Sequence, residues 1–135
     1  MTAYLAPFTY NATVLRVVDG DTIEVDVDFG FYHHQTPTPV RLLGCNAWEK
    51  NTEAGAAAKA NLEELLPPGT PVVLHTAKPD KYAPRWDADV QSNVVYGGGK
   101  LTASISQWLI STGWAAPWDG KGTAPLPPWP RTVAA

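Results

Sequence analysis

The chain has 135 residues, with 13 acidic and 10 basic side chains and a net charge of −3 when histidine is neutral. That length predicts one domain whose core is large enough to stand without disulfide or metal staples. The acidic balance argues against a protein that coats nucleic acid through a broad basic face, though not against one that grips a single phosphate locally.

A lone cysteine, Cys45, leaves no internal disulfide. The first ten residues have neither a basic start nor a long apolar run, so they do not read as a signal peptide. No stretch is long and apolar enough to span a bilayer. A cytoplasmic monomer without membrane contact is the default expectation.

In chain order, strand signals come first. Residues 9–18 are β-rich, and Asp19-Gly20 is a hairpin-turn signal. Residues 22–29 alternate: Ile23, Val25, Val27 and Phe29 point one way, and Glu24, Asp26 and Asp28 the other. Period two with a charged outer face predicts a half-buried antiparallel strand. Gly30 marks a bend, residues 31–39 read as a loop or ragged edge with two prolines, and residues 40–43 as a third short strand. Asn51 or Thr52 caps a helix carrying Ala54, Ala58, Leu62, Leu65 and Leu66 at helical spacing, which Pro67-Pro68-Gly69 stops. Residues 70–76 form a fourth strand, 77–87 a polar loop and 89–96 a fifth strand, with Gly97-Gly98-Gly99 as its turn. A second helix starts at Thr102 or Ala103, carries Ile105, Trp108 and Leu109, and ends at Gly113. The rest is rich in Pro, Gly and Trp.

Three strands, a helix, two strands and a helix is the connectivity of an OB-fold barrel, an α+β architecture. Alternating βαβ units are absent. The expected division is a single barrel domain over residues 1–118 and an extended Pro-rich tail over 119–135.

Three stretches carry chemistry: Val18-Asp19-Gly20-Asp21-Thr22; Arg41-Leu42-Leu43 with Glu49 beyond; and Asp80-Lys81-Tyr82 with Arg85. Together they offer acids for a cation, two arginines for a phosphate and a carboxylate to handle a proton, the groups that metal-assisted phosphodiester cleavage uses. Alone, each has a plainer meaning: a hairpin turn, an Arg41–Glu49 ion pair or a helix-start acid, and a solvated loop charge. Arg41 between Val40 and Leu42 is the hardest to dismiss, because a charge in an apolar strand needs a partner.

In this order these motifs resemble the staphylococcal nuclease (thermonuclease-like) family, over about residues 10–113. The resemblance implies an OB-fold nuclease that hydrolyses DNA or RNA with Ca²⁺ and leaves a 3′-phosphate. It implies Arg41, Glu49 and Arg85 as catalytic residues and Asp21 as a direct calcium ligand, with Asp19 supporting the metal's water shell. Lys81 and Tyr82 would contact a terminal phosphate. The family's second calcium carboxylate falls on Asn46 and the following threonine on Ala47. Both still offer oxygens that suit Ca²⁺, but one negative charge is gone, which weakens binding. Ala83-Pro84 stands where the family has a single glycine. The loop after the glutamate is nearly absent, and Pro-rich sequence replaces the third helix. Single strands are the expected substrate, since an OB barrel offers a groove and stacking surfaces. The alternative is a catalytically weak or inactive module of the same fold that binds nucleic acid or a protein.

The tail is expected to pack back on the barrel from Trp114 onward as extended structure, with Trp118 nearest the cleft as a base-stacking surface. Pro125-Leu126-Pro127-Pro128 also fits a P-x-x-P ligand for a protein partner, although such clusters more often coat a surface. His33-His34 reads as a solvated loop, His75 has no ligand pattern around it, and Cys45 reads as a small buried residue.

Overall fold

The computed structural model describes residues 8–79, 85–92 and 103–130. The elements in order are β1 (Thr9–Asp19), β2 (Thr22–Gly30), β3 (His33–Leu42), β4 (Cys45–Asn46), α1 (Glu53–Leu65), β5 (Pro71–Pro79), β6 (Trp86–Ser92), β7 (Ala103–Ser104), α2 (Ile105–Ser111) and β8 (Ala116–Pro117). Five long strands close on themselves. β1 pairs antiparallel with β2 and β5, β2 with β3, and β5 with β6, and a short parallel ladder between β3 and β6 seals the barrel. The order around it, β1-β2-β3-β6-β5, is that of an OB-fold barrel.

Period-two sequence builds the wall. Ile23, Val25 and Val27 of β2 are buried, as are Val40 and Leu42 of β3 and Ala88 and Val90 of β6, so the residues between them, Glu24, Asp26, Arg41 and Asp89, face outward. In β1 Leu15 follows buried Val14 and faces out in turn, and a register shift between Val14 and Arg16 then changes the phase, so that Arg16 also faces out and Val17 is buried. Beyond it, Arg16 stands opposite Glu24 and their side chains pair at 2.6 Å.

Several boundaries differ from the sequence reading, and β5 runs on to Pro79 where a loop was expected from residue 77. Residues 33–39, expected as loop, are the first part of β3. This part pairs with β2 alone, since the β6 ladder begins only at Val40. Prolines are tolerated on such a free edge, and Thr36-Pro37 falls at a register shift between Thr38 and Gln35. His34 therefore lies on a strand, with Nδ1 3.0 Å from an Asp26 carboxylate oxygen. β6 begins at Trp86 instead of Asp89, because Trp86 packs with Tyr10 and Phe29 in an aromatic cluster. The second helix begins at Ile105, capped by Ser104, whose hydroxyl accepts from the Gln107 N–H. The expected strand end at residues 93–96 and the glycine turn lie outside the described residues.

Helix α1 is capped as its sequence predicts: the Thr52 hydroxyl accepts from the Gly55 N–H at 2.9 Å. Leu62 and Leu66 at its far end are fully buried in the core, while Ala54, Gly55 and Ala58 give the first turns a thin buried face. No helix among the described residues is long and apolar enough to cross a membrane.

Candidate active site

Two glycines set the site's framework. Gly20, in the β1–β2 turn, lies so close to α1 and the chain after β4 that an added Cβ would stand 2.7 Å from Ala58 Cβ and 3.0 Å from Ala47 Cβ. Gly55 is tighter: a Cβ there would stand 1.5 Å from the Glu49 carbonyl oxygen. Small residues on one face of α1 thus let the helix press the turn 19–21, Ala47 and Glu49 together. The sequence reading treated Gly20 only as a turn former and did not single out Gly55. The signal available was the run of small residues on that helix face.

Asp21 sits at the inner end of this junction and is only 7% exposed. One carboxylate oxygen, Oδ2, accepts from the Ala47 N–H at 2.9 Å and lies 3.3 Å from Arg41 Nη1. The other, Oδ1, accepts from the Thr22 hydroxyl at 3.2 Å. Its backbone N–H donates to Asp19 Oδ1 at 3.1 Å, which turns Asp19 toward it. Burial is the largest effect on the Asp21 acid, and the Asp19 carboxyl adds to it. Together they push the acid up to about 7, against the opposing pull of Arg41 and the Ala47 N–H.

Arg41 arrives by register. Thr22 and Arg41 are partners across β2 and β3, and Arg41 and Asp87 across β3 and β6. The arginine is outward-facing yet largely covered, with its side chain 13% exposed. Its fork is in use: Nη1 donates to the Leu42 carbonyl at 3.1 Å and Nη2 to Asn46 Oδ1 at 3.1 Å. The Trp118 ring centre stands 6.0 Å from the guanidinium carbon, within cation–π range. Asp87 was missed from sequence because that stretch read as loop; it is the residue opposite Arg41.

Asn46 completes the junction by donating Nδ2 to the Pro125 carbonyl at 2.9 Å. Asp19, Asp21, Arg41, Asn46, Ala47 and Trp118 are therefore brought together. Glu49 lies three residues past Asn46 and is exposed. Its carbonyl accepts from the Thr52 hydroxyl, while no hydrogen bond or ion pair of its carboxylate occurs among the described residues. Arg85 is half-buried and immediately precedes β6, whose first pair is Val40 with Trp86, so it lies beside the strand that carries Arg41. Lys81 and Tyr82 lie outside the described residues. Cys45, next to the site, is buried, and burial pushes its thiol up to about 11.

The donor set has the chemistry of a weakly held hard cation. Asp21 supplies one carboxylate, Asn46 an amide oxygen and Ala47 a peptide oxygen. Asn46 Oδ1 accepts from the Arg41 guanidinium and Asp21 Oδ2 is ion-paired with it, so a cation and Arg41 compete for both oxygens. Among the described residues no three His, Cys, Asp or Glu side chains gather as a metal group. No family model matches the chain, and no curated protein matches it, so the site is read from its own geometry.

Proposed function

We propose that this chain is a Ca²⁺-dependent phosphodiesterase that cleaves single-stranded DNA or RNA, of the kind that the staphylococcal nuclease resemblance implies. The observation that carries the reading is the junction of Arg41 with Asp21 and Asn46 on the outer wall of an OB barrel. An arginine at that place presents a planar fork that suits the paired oxygens of a phosphate. Arg85, beside the same strand, supplies a second positive charge against the charge that builds on the phosphoryl oxygens in the transition state. Exposed Glu49 takes the proton of the attacking water. Asp21, Asn46 and the Ala47 carbonyl would hold Ca²⁺, with Asp19 behind them. When bound, that cation polarises a phosphoryl oxygen and offsets its charge. Trp118 offers a face on which a base can stack. Lys81 and Tyr82 are assigned to a terminal phosphate on the resemblance alone.

A second reading, a non-catalytic nucleic-acid or protein-binding module, is favoured by one observation: the Arg41 fork is already occupied by Asp21, Asn46 and Leu42. Digestion of a labelled single-stranded oligonucleotide with Ca²⁺, and again with EDTA, separates the two. Cleavage that EDTA abolishes, and that Glu49→Gln lowers by roughly 10² to 10⁴ without a change in melting temperature, supports the enzyme. Binding without cleavage under every condition supports the module.

A further inference from the structure

The Pro-rich tail meets the candidate site through a repeating pattern of bonds. Asn46 and Trp48 are two residues apart, as are Pro125 and Pro127. The Asn46 amide donates to the Pro125 carbonyl and the Trp48 indole N–H to the Pro127 carbonyl, both at 2.9 Å. Two extended segments lie side by side, with side-chain donors on one meeting backbone acceptors on the other. Proline suits the acceptor side, since it has no N–H to leave unpaired and its fixed φ keeps the segment extended. Pro127 is buried in this contact while Leu126 points out.

The other edge of the same short stretch is held too. β8 pairs with β4, Cys45 with Pro117 and Asn46 with Ala116, and the Trp118 N–H donates to the Gly44 carbonyl at 3.0 Å. Between these anchors the chain reverses at residues 118–122, where Gly120 and Gly122 have φ of +87° and +71°. There the Trp118 indole N–H donates to the Lys121 carbonyl. Residues 44–48 are thus bracketed by two parts of the tail. Asn46 also accepts from Arg41, which pairs with Asp21. A continuous chain of polar contacts therefore runs from the buried acid to the tail. Aspartate in place of Asn46 would break it, because a carboxylate has no N–H to give Pro125.

We infer that Asn46 and Trp48 form a binding site for an extended proline-rich segment, that the chain's own residues 124–128 fill it, and that this filled state holds the tail in place with Trp118 covering Arg41, 6.0 Å from its guanidinium carbon. The tail is a latched strap, and a phosphodiester reaches the arginine only when the latch opens. This last step rests on the phosphodiesterase reading; the latch and the cover do not.

The test uses the full-length chain and two variants. Trp48→Phe keeps an aromatic ring and removes the indole donor, and Pro127→Gly loosens the strap while leaving Trp48 in place. Each is treated with an arginine-specific dicarbonyl reagent in EDTA, and the rate of Arg41 modification is read by mass spectrometry, with exposed Arg16 as internal control. Binding of an eight-residue oligothymidylate is measured in parallel. Loss of the indole hydrogen bond in Trp48→Phe is expected to raise the Arg41 rate about fivefold, and the freer backbone of Pro127→Gly, which keeps the carbonyl acceptor, is expected to raise it as well, with Arg16 unchanged and oligonucleotide affinity rising in step. Equal Arg41 rates in the wild type and in every variant that retains its fold overturn the inference. Faster Arg41 modification with no oligonucleotide binding upholds the strap and removes the phosphodiester reading.

Discussion

Asp21 carries the electrostatic balance of the site. Unfolded, its acid sits near 3.8; folded, mainly through burial, it sits near 7. A carboxyl raised on folding contributes stability that is fully present below about pH 4 and is lost as pH rises through 7. The effect is about 4 kcal/mol at most. Asp21→Asn should therefore flatten the fall in stability between about pH 4 and pH 7. Urea denaturation in EDTA measures it, and parallel pH profiles for the two proteins would contradict the assignment. Asn46 gives the complementary test. Asn46→Asp adds a carboxylate to an oxygen-donor set, and charge count sets affinity in such sites. Calorimetry should show tighter Ca²⁺ binding; equal or weaker affinity would mean that position 46 does not face the cation.

Helix α1 acts as a clamp more than as a core element. Its buried face near the N-terminus is Ala54, Gly55 and Ala58, and that thinness sets how closely Glu49 and the turn at Gly20 approach it. Gly55→Ala should cost about 1–3 kcal/mol by overpacking, measured by urea titration, and should lower cleavage further by displacing Glu49. Unchanged stability would mean that the helix can shift without strain. The barrel strands were largely legible, because Ile23, Val25 and Val27 declare period two and Pro67-Pro68-Gly69 ends α1 without ambiguity. The first half of β3 was not, because Pro37 and Pro39 disguise an edge strand that needs donors on one side only. The motif residues were legible as types. Their mutual bonds were not, since Asn46 to Pro125 joins positions 79 residues apart. No local pattern encodes such a pair.

The molecule as a whole is a barrel sealed by the shortest ladder of its wall. The β3–β6 seam has three register pairs, Val40 with Trp86, Arg41 with Asp87 and Leu42 with Ala88, continued by the Leu43 N–H donating to the Ala88 carbonyl at 3.0 Å. The β1–β2 and β2–β3 ladders each run over seven pairs. Thermal opening of a closed wall starts where the fewest bonds must break. Arg41 sits in the middle of that place. In native-state hydrogen exchange, the Leu43 amide should open at a lower free energy and with a weaker urea dependence than the Val25 amide deep in β2. The proposed chemistry and the cheapest excursion of the fold would then share one stretch of backbone, so a dose of denaturant too small to unfold the barrel would already silence the site.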